Sequence, residues 1–132
     1  MKKQLVLLSL AIIIIISSCA IWGVKQSKSI VGKWIGELPN GDKIVMNFKN
    51  DMTMEGSIKG SMDLEYTAKY SVDFSVNPIT LDLFDFEEMG DIRYLAIIKF
   101  INKNKILICG NIDSQGDRPK NFDYDAYEIK RE

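Results

Sequence analysis

Few side chains in this sequence are equipped for chemistry, and their spacing works against most reactions. There is no histidine. That removes the usual general base, the commonest metal ligand and the side chain that changes charge near neutral pH. The serines are scattered, with no Gly-x-Ser-x-Gly turn to raise one as a nucleophile. Carboxylates gather at Asp82, Asp85, Glu87, Glu88 and Asp91. Calcium wants about six to eight oxygens, but Phe84 and Phe86 interrupt the run, which reads as a solvated acidic loop. Asn111, Asp113, Gln115 and Gly116 imitate the start of a calcium-binding loop. Its closing position falls on Phe122 instead of a bidentate Glu, so the match is rejected. Asp73 and Asp82 would suit a paired acid and base, yet both fall at outward positions of expected strands. No catalytic residue, metal or cofactor is expected, and the protein is not read as an enzyme.

The two cysteines differ in setting. Cys109 sits in Ile-Leu-Ile-Cys-Gly, without a basic neighbour to stabilise a thiolate, and reads as a small buried apolar residue. Cys19 closes a leader. Lys2 and Lys3 give it a basic start, Leu5 to Ile16 is apolar except for Ser9, and Ser17-Ser18 are small. This is the three-part pattern of a secretory signal, with an apolar middle shorter than the roughly 20 residues needed to span a bilayer. Ile16-Ser17-Ser18-Cys19 resembles the lipobox of bacterial lipoproteins. The resemblance implies cleavage before Cys19 and acylation there, with residues 1–18 as signal peptide and 19–29 as a lipidated tether. It also implies an envelope protein facing away from the cytoplasm, at the outer membrane in a diderm cell because Ala20 is not acidic. Two or three acyl chains, at about 0.8 kcal/mol per buried methylene, would hold such a protein firmly. The alternative is an uncleaved helical anchor extended through Val24, with Trp22 at the interface.

Removing residues 1–18 takes away two of the 17 basic residues and none of the 18 acidic ones, leaving a formal charge of −3. A mildly acidic surface offers no electrostatic footprint for nucleic acid. The remainder, 30–132, suffices for one domain.

The elements that must position these residues are strands. Leu64–Ser75 alternates most strictly: Leu64, Tyr66, Ala68, Tyr70, Val72 and Phe74 share one face, and charged or hydroxylated residues share the other. Tyr66, Tyr70 and Phe74 are therefore the expected lining of any internal cavity. Shorter strands are expected over 30–38, 43–49, 53–59, 79–84, 92–101, 105–111 and 123–130. Pro39-Asn40-Gly41-Asp42 marks a tight hairpin, and Asn77-Pro78 and Asn102-Lys103-Asn104 mark further turns. About eight short strands with mostly short links, and no helical period beyond Ser29, predict an all-β fold. An antiparallel up-and-down barrel is the expected form. Eight strands enclose space for packed side chains or one small ligand.

Gly32-Lys33-Trp34 on the first strand resembles the Gly-x-Trp signature of the lipocalin and calycin group. Pro78–Leu83, Ile106–Cys109, Arg118-Pro119 and Phe122 follow in the order seen in small lipocalin-like bacterial domains. The resemblance implies that Trp34 closes one end of the barrel under an arginine from near the last strand. Arg118 is the first choice for that partner and Arg131 the second. It further implies a module that binds a small apolar ligand at the membrane to which it is anchored. The competing expectation is a filled barrel acting as a structural or protein-interaction module. Phe84, Phe86 and Met89 would supply its exposed apolar patch.

Overall fold

The computed structural model describes residues 28–132. The leader, the acylated Cys19 and most of the tether expected from the sequence lie outside the described residues. Eight strands form: β1 (Gly32–Glu37), β2 (Lys43–Phe48), β3 (Thr53–Lys59), β4 (Leu64–Asp73), β5 (Ile79–Phe84), β6 (Tyr94–Asn102), β7 (Lys105–Ile112) and β8 (Tyr127–Arg131). Each pairs antiparallel with the next, and β8 pairs with β1, so the sheet closes into an up-and-down barrel. Closure leaves no unpaired sheet edge. Among the described residues no helix is long and apolar enough to cross a membrane.

The alternation expected along β4 is present: Tyr66, Ala68 and Tyr70 are buried and Glu65, Lys69 and Ser71 are exposed. The inward set from all eight strands forms one core, in which Trp34, Leu81, Ile106, Ile108 and Ile129 are fully buried. Each such side chain contributes about 1.5–3 kcal/mol relative to exposure. Phe48 and Tyr70 meet edge to face at 4.9 Å between ring centroids, a geometry that suits the ring quadrupoles.

The connections divide the barrel into two ends. The β1–β2, β3–β4, β5–β6 and β7–β8 links lie at one end. The other end holds the chain entry, the remaining links and the C-terminus. This second end is plugged. Trp34 donates its indole N–H to the Ile30 carbonyl at 2.8 Å, and the Arg131 guanidinium stacks 4.2 Å from the indole centroid. Arg131 also donates to the carbonyls of Val31 (2.6 Å), Ser29 (3.0 Å) and Lys103 (3.3 Å).

The arginine is thus Arg131, and the preference for Arg118 is corrected. Trp34 and Arg131 are register partners across the β1–β8 seam, so barrel closure itself brings them together. Gly32 completes the unit. Its φ of +128° favours glycine, and a Cβ there would stand 2.7 Å from Arg131 Nη1.

Arg118 instead works outside the barrel. The β7–β8 connection, residues 113–126, folds back over the outer faces of β5, β6 and β7. Arg118 Nη2 lies 2.6 Å from Asp82 Oδ1, and Nη1 donates to the Ala96 carbonyl at 2.8 Å. The Asp82 contact is a close ion pair without the alignment of a hydrogen bond. Ile97 and Cys109 point outward from the barrel yet are buried, and Cys109 Sγ donates to the Tyr124 carbonyl in this connection at 3.1 Å. Burial, and next the Asp125 charge, push the Cys109 thiol above its ordinary range, which disfavours the nucleophilic thiolate.

Candidate ligand cavity

A cavity of about 680 Å³ opens at the end opposite the plug. It falls within the roughly 300–1,000 Å³ range of small-molecule sites. Its walls come from the inner faces of the strands and from the links around the mouth. Ile44 and Met46 (β2), Ile58 (β3), Leu64 and Tyr66 (β4), Leu83 (β5), Tyr94 (β6), Ile112 (β7) and Tyr127 (β8) form the barrel wall. Leu38, Met62, Phe86, Met89 and Ile92 extend it at the rim. The cavity has a definite floor. On β4, β6 and β8 the next inward residues beyond Tyr66, Tyr94 and Tyr127 are Ala68, Ala96 and Ile129, which belong to the packed core.

Two glycines account for the space. A Cβ on Gly56 would collide with the Tyr66 ring, and one on Gly110 would collide with the Tyr94 ring. Gly56 and Tyr66 face each other across β3–β4. Each ring therefore lies flat over a neighbouring strand and forms part of the wall instead of filling the lumen.

The tyrosine hydroxyls supply the polar floor. Tyr94 and Tyr127 share a hydrogen bond of 3.2 Å in which either oxygen can donate. Burial raises the Tyr66, Tyr94 and Tyr127 phenols above their ordinary range, so all three stay protonated near neutral pH. Burial comes first among the causes for Tyr66, followed by the Tyr94 charge. At the mouth, Asp42 is the buried acid. It accepts from Ser61 N (2.9 Å), Ser61 Oγ (2.7 Å) and Asn40 Nδ2 (3.2 Å). The hydrogen bonds from Ser61 hold its carboxyl below the ordinary range. Asp42 ties the β1–β2 turn to the β3–β4 turn and is a strut of the rim.

Of the side chains expected to line a cavity, Tyr66 does so. Tyr70 lies deeper, buried against Phe48, with its hydroxyl donated to the Lys49 carbonyl at 2.6 Å. Phe74 is outside: β4 ends at Asp73, whose carboxylate accepts from Ser75 N and Oγ. The chain turns there and leaves Phe74 44% exposed, 6.3 Å from the Phe100 ring. The acidic loop also departs from expectation. Phe86 and Met89 turn inward onto the cavity, and Phe84 lies under Arg93 at 5.5 Å, so these three form no outer patch. The carboxylates of this region are dispersed. Asp85 pairs with Lys69, Glu88 accepts from Thr67 N and Oγ, and Asp82 meets Arg118 and Arg93. Asp73 serves its own turn and does not pair with Asp82.

Sequence reasoning missed Tyr94, Tyr127, Gly56 and Gly110. Each is legible only once register is known. The chain matches no family model, no curated protein and no solved structure.

Proposed function

We propose that this protein is a lipid-anchored envelope module that binds a small apolar ligand in the open end of its barrel. The carrying observation is the 680 Å³ cavity, walled by aliphatic, methionine and aromatic side chains and closed below by tyrosines. Methionines Met46, Met62 and Met89 give that wall adaptability. The anchor rests on the lipobox-like leader. In keeping with it, the described chain enters at the plugged end, opposite the mouth.

The test is binding of a neutral fluorescent naphthylamine to the full chain in lipid nanodiscs, with empty discs subtracted. Ile112→Trp places an indole in the lumen without enlarging the packed core. Saturable binding that this substitution abolishes, with unfolding unchanged, supports the proposal. Absence of binding, or binding indifferent to Ile112→Trp, refutes it. Native mass spectrometry of membrane-extracted protein reports the acyl mass at Cys19, and an unmodified, uncleaved chain overturns the anchor.

One observation favours a second reading, a module that contacts another envelope protein. Phe74, Val76 and Ile101 are exposed beside the turns at the plugged end, with Lys28 over Phe100. Loss of a crosslinked partner in Phe74→Ser, with ligand binding intact, would support that reading.

A further inference from the structure

The lining carries a pattern of charge that narrows the ligand. Among the described residues it includes no Lys or Arg, and its charged members, Asp42 and Asp125, are both acidic. Both stand on the mouth links; Asp125 is exposed and the oxygens of Asp42 are engaged by Ser61 and Asn40. Below them the walls are apolar as far as the tyrosine floor. A carboxylate or phosphate head would lose its water there and meet no cation, which is costly in an apolar site. An ammonium head would meet no anion at the floor.

The floor does offer hydroxyl protons. In the Tyr94–Tyr127 pair one hydroxyl donates to the other. The acceptor of the pair retains its own proton for a ligand. Tyr66 leans over the β3 side of the barrel and Tyr94 over the β7 side, so the donors stand on opposite walls. An oxygen entering between them accepts from the donor on the wall it approaches.

Resting on the ligand-binding reading above, we infer that the cavity takes an uncharged amphiphile with a single oxygen head, such as a long-chain alcohol or ketone. The head sits between Tyr66 and the Tyr94–Tyr127 pair, and the chain runs up past Leu64, Phe86 and Met89 to the mouth. Fatty acid anions are excluded by the same arrangement. The raised ionisation range of the tyrosines keeps them donors across the physiological range.

The experiment is displacement of the neutral naphthylamine from the full chain in nanodiscs by octanol, octan-2-one, octanoate and octylammonium. It is run at about pH 8, where a carboxylic acid is ionised and an alkylammonium still charged. Octanol and octanone are expected to displace at concentrations about tenfold or more below those of the two ions. In Tyr66→Phe/Tyr94→Phe, octanol weakens by about fivefold to tenfold relative to naphthylamine measured on the same variant, and urea unfolding reads separately the loss of the Tyr94–Tyr127 bond. Octanoate or octylammonium matching octanol, or octanol unaffected by the double substitution, overturns the head-group assignment and leaves the cavity reading standing. If naphthylamine fails to bind at all, the cavity reading falls, and this inference falls with it.

Discussion

Replacing Arg131 by Met keeps an unbranched stem of similar length over Trp34 and removes the guanidinium. What is lost can be worked from the plug. The cation stacked 4.2 Å from the indole centroid contributes about 1 kcal/mol at a half-buried site. The short bond to Val31 O at 2.6 Å is charge-assisted and adds about 1.5 kcal/mol. The bonds to the Ser29 and Lys103 carbonyls are exposed, and water replaces the donor there, so each adds only a few tenths of a kcal/mol. The expected loss is about 3 kcal/mol. For a domain of this size that corresponds to roughly 10–25 °C in Tm. Equilibrium urea unfolding followed by far-UV circular dichroism measures it, with an unchanged m-value showing that the transition remains two-state. Arg131→Lys should recover less than half, because an ammonium cannot stack flat and reach several carbonyls at once. A loss below about 1 kcal/mol for Arg131→Met, or full recovery by Lys, would refute the plug as a stabilising unit.

Other perturbations probe the remaining features. Arg118→Met releases the 113–126 connection and leaves Asp82 with only Arg93, 3.5 Å away; stability should fall by about 1–2 kcal/mol, since the pair is partly solvated. Alkylation of Cys109 by iodoacetamide should then rise at least about tenfold, and an unchanged rate would show that the connection does not shield it. Gly110→Ala drives the Tyr94 ring off the β7 wall, so naphthylamine affinity should drop and stability fall by about 1–3 kcal/mol from overpacking; calorimetry and displacement read the two effects. Asp42, Asp51, Asp73 and Glu88 are held below their ordinary ionisation ranges, chiefly by hydrogen bonds from Ser61, Thr53, Ser75 and Thr67. A lowered folded-state value stabilises above the unfolded value, so urea midpoints should be flat above about pH 5 and fall below about pH 4. The raised phenols have the opposite sign. Tyr66, Tyr70, Tyr94 and Tyr127 favour folding until the unfolded chain ionises, so stability should decline above about pH 10, with phenolate absorbance from these rings appearing only on unfolding.

The strands were largely readable because alternation and turn chemistry are local. Leu64–Val72 alternates without a break, and Asn40-Gly41, with Gly41 at φ +92°, supplies the hairpin the sequence predicts. The limits have physical causes. Alternation alone extended β4 to Ser75, but the Asp73 carboxylate captures Ser75 and turns the chain, a local contest that periodicity does not register. The choice of Arg131 over Arg118 depends on the closing register between β1 and β8, the pairing of greatest separation in sequence. Phe86, Met89 and Ile92 were hidden among carboxylates, and their three-residue spacing suits a tight loop, with Gly90 at φ +72°, rather than a strand. The cavity itself was illegible for a related reason. It depends on Gly56 and Gly110 standing beneath rings from neighbouring strands, whereas glycine in a strand reads first as a weakness.

Strict alternation of the links between two rims has an evolutionary corollary. Every second connection reaches the mouth, while those between them stay with the Trp34 plug. Insertions or exchanges in the four mouth links can reshape what enters the lumen without touching the residues that shut its base. Selection can therefore diversify one pole while conserving the other, and a protein engineer could graft new rims onto the same closed foundation.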